Sequence, residues 1–209
     1  MSEDKKLNEK ELSEKEQKHI ARQKKIKAEV DERIAAAQTE KGVFQVITGN
    51  GKGKSTSGFG TVARCVGHDK KAAVVQFIKG GWECGERNLL EKAGVPFTHM
   101  ETGFTWETQN RESDTKAAQA AWQVAKQYLA DDTIDLVLLD ELTYMVTYDY
   151  VQLEDVLNAV KNRPPMQCVI ITGRAAHREL TELADTVSEV KNIKHAFKAG
   201  VKAQKGFDY

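Results

Sequence analysis

Three cysteines and three prolines are few for 209 residues, and they leave the chain without two common devices for fixing a fold. Cys65, Cys84 and Cys168 are odd in number, widely spaced and free of any C-x-x-C pair. That pattern excludes a disulfide framework and a zinc cluster and fits reduced thiols, so a cytoplasmic location is expected. Charge of one sign is also missing, because 31 Lys and Arg oppose 31 Asp and Glu. No global field therefore steers the protein toward nucleic acid or an anionic membrane, although a local basic patch stays open. No apolar run approaches the roughly 18 residues of a membrane span, and the start at Met1-Ser2-Glu3-Asp4 carries no apolar signal core. No Ser/His/Asp or Cys/His set stands out as nucleophile and base.

Glycine and proline are absent until Gly42, and charges of both signs dominate up to that point. Ile26, Val30 and Ile34 recur every fourth residue, which draws one thin apolar stripe along a helix. Residues 1–41 read as a charged helical arm, partly disordered because its first residues fray. The arm is either a solvated extension or a docking or lid element. Residues 42–209 read as one domain long enough to bury a sizeable core.

From Gly42 onward apolar runs alternate with helical patterns. Val43–Thr48, Ala72–Ile78, Leu136–Leu139 and Cys168–Thr172 are apolar nearly throughout, as strands covered on both faces of a parallel sheet must be. Val95–Met100 and Thr186–Val190 are two further candidates. Helices are expected at about Lys54–Val66, Glu86–Ala93, Ser113–Ala130, Leu153–Asn162 and His177–Ala184. Gly94 is placed to end the second of these in a left-handed turn, with Pro96 blocking continuation. The alternation predicts an α/β fold: a three-layer P-loop, RecA-like domain with a mostly parallel central sheet, preceded by the helical arm.

The richest stretch runs from Thr48 to Thr56, between a predicted strand and a predicted helix. Gly49, Gly51 and Gly53 allow turns closed to other residues, so successive N–H groups can face one anion. The helix start adds unpaired donors and the positive end of its dipole. Lys54 supplies a point charge for phosphate oxygens and Ser55 a hydroxyl within reach of magnesium, so the expected ligand is a nucleoside triphosphate with its metal. The spacing G-x-x-x-G-K-S is one residue shorter than the usual loop, because Thr48 stands where a glycine is customary. The competing interpretation is a chance Gly/Lys surface turn.

A second signal is the apolar run Ile134–Leu139 ending in Asp140-Glu141. A carboxylate at the end of a buried strand can hold magnesium in P-loop proteins, and it can equally cap a helix start. If the strand runs through both acids they point to opposite sides, leaving one to face the metal. A third signal is the polar stretch Thr102–Arg111, with Phe104 and Trp106. Loop aromatics contact flat ligands or pack beneath their loop. Together with the turn Phe77–Asn88, these segments lie beyond the carboxyl ends of predicted strands, where open α/β sheets bind ligands.

Gly49-Asn50-Gly51-Lys52-Gly53-Lys54, Gln76-Phe77-Ile78-Lys79-Gly80, Gly103-Phe104-Thr105-Trp106-Glu107-Thr108, Leu139-Asp140-Glu141-Leu142-Thr143-Tyr144 and Ile171-Thr172-Gly173-Arg174 closely resemble the CobA/BtuR-type ATP:corrinoid adenosyltransferases. The resemblance runs from about Asp31 to Tyr209. Ser55 replaces the family's usual threonine and keeps its hydroxyl.

The resemblance implies transfer of the 5′-deoxyadenosyl group of ATP to the cobalt of a reduced corrinoid, with release of triphosphate. It implies ATP bound reversed relative to ordinary P-loop enzymes, which makes the missing glycine at 48 intelligible. Gly49, Asn50, Gly51, Lys52, Gly53, Lys54, Ser55 and Thr56 would bind the phosphates, and Ser55 and Glu141 the magnesium or manganese. Lys54 would act in catalysis. So would Phe104 and Trp106, which displace the lower axial ligand of cobalt(II) and ease its reduction. The family's N-terminal helix reaches over a partner's active site, so a homodimer is implied, as is an electron donor such as a flavoprotein. The alternatives are an ordinary P-loop phosphotransferase or ATPase, and a carrier that binds both ligands without joining them.

Overall fold

The computed structural model describes residues 14–78, 84–100 and 110–209, and the chain divides into two units between Glu40 and Lys41. In the first unit, helix α1 spans Glu14–Ala36. Ile20, Ile26, Val30 and Ile34 are exposed along it. Its charges pair at helical spacing, Lys27 with Asp31 at 2.5 Å and Lys25 with Glu29 at 4.0 Å. Such pairs contribute only a few tenths of a kcal/mol each.

The second unit alternates strands and helices: β1 (Phe44–Thr48), α2 (Lys54–Val66), β2 (Ala72–Gln76), α3 (Gly85–Lys92), β3 (Phe97–His99) and α4 (Arg111–Ala130). β4 (Leu136–Asp140), α5 (Leu142–Thr147), α6 (Leu153–Lys161), β5 (Cys168–Thr172), α7 (Arg178–Leu183) and β6 (Thr186–Glu189) follow, and a 3₁₀ turn lies at Ala196–Ala199. The six strands among the described residues form one parallel sheet in the order β3-β2-β4-β5-β1-β6.

Alternation along each strand builds the three layers, since successive side chains face opposite ways. Val137 and Leu139 of β4 join Val75, Val169 and Ile171 under α4, α6 and α7, where Trp122, Leu129, Val156, Val160 and Leu180 are buried. Leu136 and Leu138 face the other way, onto Phe59 and Val62 of α2 and Leu90 of α3. α3 stops as expected, because Gly94 takes φ 83 just past its end. Gln167 ties the helix layer to the sheet, its amide donating to the carbonyls of Tyr128, Asp131 and Ile134. Among the described residues, no helix is long and apolar enough to cross a membrane.

The sheet order decides where ligands can sit. β1 and β4 both lie beside β5, so the loop after β1, the acids after β4 and the turn after β5 converge at one edge. That edge is the carboxyl end of the parallel sheet.

Candidate active site

β1 feeds the glycine loop, and α2 begins at Lys54. Gly53, the residue before the helix, has φ 115, and a side chain there would meet nothing within 4 Å. Backbone conformation rather than crowding therefore demands glycine at that point. Gly51 is glycine for the opposite reason. A Cβ there would lie 2.7 Å from the Lys191 carbonyl oxygen, and its N–H donates to Val190 O at 2.7 Å. The loop is pinned to the segment leaving β6, which removes the Gly51 N–H from the donors open to an anion.

Lys54 is 5% exposed, and its ammonium donates to Gly51 O at 2.9 Å. Burial pulls its pKa below the usual lysine value. The carboxylates of Glu141 and Asp140 pull the other way, and the Arg174 guanidinium adds to the lowering. The loop thus keeps a desolvated cation folded onto its own backbone, a group that a phosphate can recruit.

The two acids after β4 part company. The strand ends at Asp140, and Glu141 turns left-handed, with φ 60, into α5. A strand running through both acids is therefore replaced by a strand end and a turn. Asp140 is fully buried: Oδ2 accepts from Gln76 Nε2 at 2.8 Å and Oδ1 from the Thr172 hydroxyl at 2.7 Å. Glu141 occupies the N-cap position of α5 but makes no side-chain cap bond, and it lines the cleft instead.

A cleft of about 530 Å³ joins these pieces. Asn50, Gly51, Lys52, Gly53, Lys54, Ser55 and Thr56 line it together with Glu141 and Arg174. This volume suits a nucleotide-sized ligand. Gly49 lies behind the lining at φ 108, where a Cβ would stand 2.5 Å from Val190 O. Phe104 and Trp106 lie outside the described residues. Arg174 donates to the Tyr144 hydroxyl, which with Glu141 raises its pKa further, so it is a fixed cation of the cleft.

The C-terminus adds to the lining, beside Gly85, Glu86 and Leu89 of α3, and sequence reasoning missed the C-terminal part. His195 and residues 206–209 face the loop. Asp208 pairs with Lys52 at 2.6 Å, and the Phe207 ring centroid is 5.9 Å from the same ammonium. The Lys52 ammonium and the Gln204 N–H hold the Asp208 carboxyl below its usual pKa. The only local signal was an aromatic and an acid beside Gly206 at the end of a lysine-rich stretch.

The donor set also fits a divalent cation shared with phosphates. Ser55 and Glu141 line the cleft beside Lys54. Among the described residues no group of three or more His, Cys, Asp or Glu could cage an ion. Magnesium bound through one carboxylate, a hydroxyl and substrate phosphates needs no such cage.

A parallel sheet with a glycine loop after one strand and an acid after another, both facing one cleft, defines a P-loop nucleotide-binding protein of the α/β class. Within that class, residues 40–209 match the family ATP:corrinoid adenosyltransferase BtuR/CobO/CobP, and the chain belongs to it. It is similar to the corrinoid adenosyltransferase of Escherichia coli strain K12, 62% identical over 193 residues that cover 92% of this chain and 98% of the relative. The corrinoid adenosyltransferase CobA of Salmonella typhimurium is 61% identical over the same shares. That of Pseudomonas aeruginosa is 50% identical over 95% of this chain and 99% of its own. The chain is thus a transferase of cobalamin biosynthesis that moves the adenosyl group of ATP to a corrinoid.

Proposed function

We propose that the phosphates of ATP lie on residues 50–56, with Gly49 shaping the loop from behind, and that the ribose C5′ faces the corrinoid. One observation carries this reading: Lys54, Ser55 and Glu141 line one cleft with the glycine loop. The attacking electron pair comes from cobalt(I), so the protein's work is orientation and charge stabilisation. A cobalt–carbon bond forms, the C5′–O bond breaks, and its electron pair leaves with triphosphate. Lys54 and the remaining loop N–H groups stabilise the negative charge that builds on the leaving oxygen.

Ser55 and Glu141 would hold magnesium or manganese, which when bound neutralises phosphate charge. Arg174 adds a further fixed positive charge. Phe104 and Trp106 belong to the corrinoid side of the reaction, where they displace the lower axial ligand so that an electron donor such as a flavoprotein can reduce cobalt(II). A homodimer in which α1 reaches a partner's site accounts for the apolar stripe Ile26, Val30 and Ile34, and the cytoplasm is the compartment that suits three cysteines held outside any disulfide.

The test is an incubation with ATP and chemically reduced cobalamin, followed by absorbance. A photolabile cobalt–carbon product is expected. Its absence, with ATP hydrolysed to ADP, would identify an ordinary ATPase.

A further inference from the structure

We infer that Thr172 is a positioning residue that sets Glu141 in the cleft, through a buried relay joining the ends of three strands. The inference rests on the metal–nucleotide role of Glu141 given above.

Thr172 is the last residue of β5 and is fully buried. Its hydroxyl accepts the Glu141 N–H at 2.9 Å and donates to Asp140 Oδ1 at 2.7 Å. The other oxygen of Asp140 accepts from Gln76 Nε2 at 2.8 Å, and Gln76 is the last residue of β2. The side chains of Gln76, Asp140 and Thr172 are at most 1% exposed. Three adjacent strand ends, β2, β4 and β5, are thus cross-tied by one chain of hydrogen bonds.

The direction of that chain is informative. Both oxygens of Asp140 are bound inside the protein, so Asp140 works as a hub beneath the cleft. The relay's outlet is the main chain of Glu141, the one residue of this set that lines the cavity. Glu141 holds φ 60, which a non-glycine residue keeps only when its surroundings over-determine it. The Thr172 hydroxyl supplies that constraint at the N–H of the strained residue. Valine would fill the same volume, but it could neither accept this N–H nor satisfy Asp140. A hydroxyl here serves the aim of the Glu141 carboxylate, as outer partners of ligating carboxylates do.

Thr172→Val and Thr172→Ser should be titrated calorimetrically with ATP, once with magnesium and once with a chelator. Thr172→Val should weaken magnesium–ATP binding by roughly 10–100-fold and leave metal-free ATP within about threefold, and Thr172→Ser should restore most of the loss. In a Glu141→Gln background the valine substitution should add nothing, because both changes act through one group. Thr172→Ala serves the same tests if valine prevents folding.

Wild-type magnesium–ATP affinity in the valine variant would overturn the inference. So would equal losses with and without metal, or additive losses in the Glu141→Gln background. A Glu141→Gln enzyme with unchanged magnesium–ATP affinity would instead overturn the role of Glu141, and the inference with it.

Discussion

Lys54→Met separates the catalytic charge from the fold, and the structure sets both magnitudes. At 5% exposure the ammonium is desolvated, and burial lowers its pKa in the folded state. For a base this has a definite sign. While the group is protonated, below its folded pKa, burial opposes folding, and the penalty vanishes above the ordinary value of 10.5. Methionine keeps most of the apolar stem and removes the penalty at neutral pH. Against this stand the attraction of Glu141 and Asp140 and the 2.9 Å bond to Gly51 O, which as a bond from a charged donor contributes about 1.5–3 kcal/mol. The opposing contributions leave a net change of no more than about 1 kcal/mol, a Tm shift within about 2–4 °C for a chain of this size. Transfer should fall far more. A preorganised donor at a developing oxyanion contributes about 2.7–4 kcal/mol, so kcat should drop by about 10²–10³. Differential scanning fluorimetry and the cobalt–carbon absorbance assay on one preparation measure both. Activity within about tenfold of wild type, some 1.4 kcal/mol, would refute the charge role. A large loss of Tm would make Lys54 structural instead.

Gly51→Ala places a methyl 2.7 Å from the Lys191 carbonyl oxygen and from Val190 Cγ1, which should destabilise by about 1–3 kcal/mol and raise the KM for ATP. Unchanged thermal stability and KM would show that the loop is not pinned to the segment after β6. Asp155→Ala removes the 2.7 Å bond from the Trp122 indole N–H and the ion pair with Lys126, costing about 1–3 kcal/mol at neutral pH. Those partners lower the pKa of Asp155, so its stabilisation is present above the ordinary 3.8 and is lost as pH falls through the lower folded value. The gap between wild type and variant in urea melts should therefore narrow as pH falls below 3.8 and close below the lower folded value, and a constant gap would contradict the assignment. Trp106→Ala should impair transfer begun from cobalt(II) more than transfer begun from prepared cobalt(I). Equal loss in both assays would remove Trp106 from ligand displacement.

What the sequence could reveal followed the range of the forces involved. α2 was legible to the residue because Gly53 demands its conformation locally, and the buried strands were legible from their apolar composition. α4 begins at Arg111, ahead of the expected Ser113, because the Asn110 side chain caps the Ser113 N–H. β2 ends at Gln76 although Phe77 and Ile78 continue the apolar run. Both are buried by the core but lie beyond the ladder. The short helix α5 escaped notice because Glu141, a residue that seldom turns left-handed, does so here under contacts from β5. The glycine loop and the acids were readable as chemistry. That Asp140 faces inward and Glu141 faces the cleft depends on Gln76 and Thr172, distant in sequence. The seat of Asp208 on Lys52 likewise joins residues distant in sequence, and no spacing rule encodes either.

The central claim is that ATP is held so that its C5′, not its terminal phosphorus, meets the nucleophile. Quantifying the phosphate products of a single turnover with a cobalt(I) corrinoid tests it directly. One triphosphate for each cobalt–carbon bond formed, with no ADP, is predicted. ADP and orthophosphate in equal amounts, formed whether or not the corrinoid is present, would contradict it.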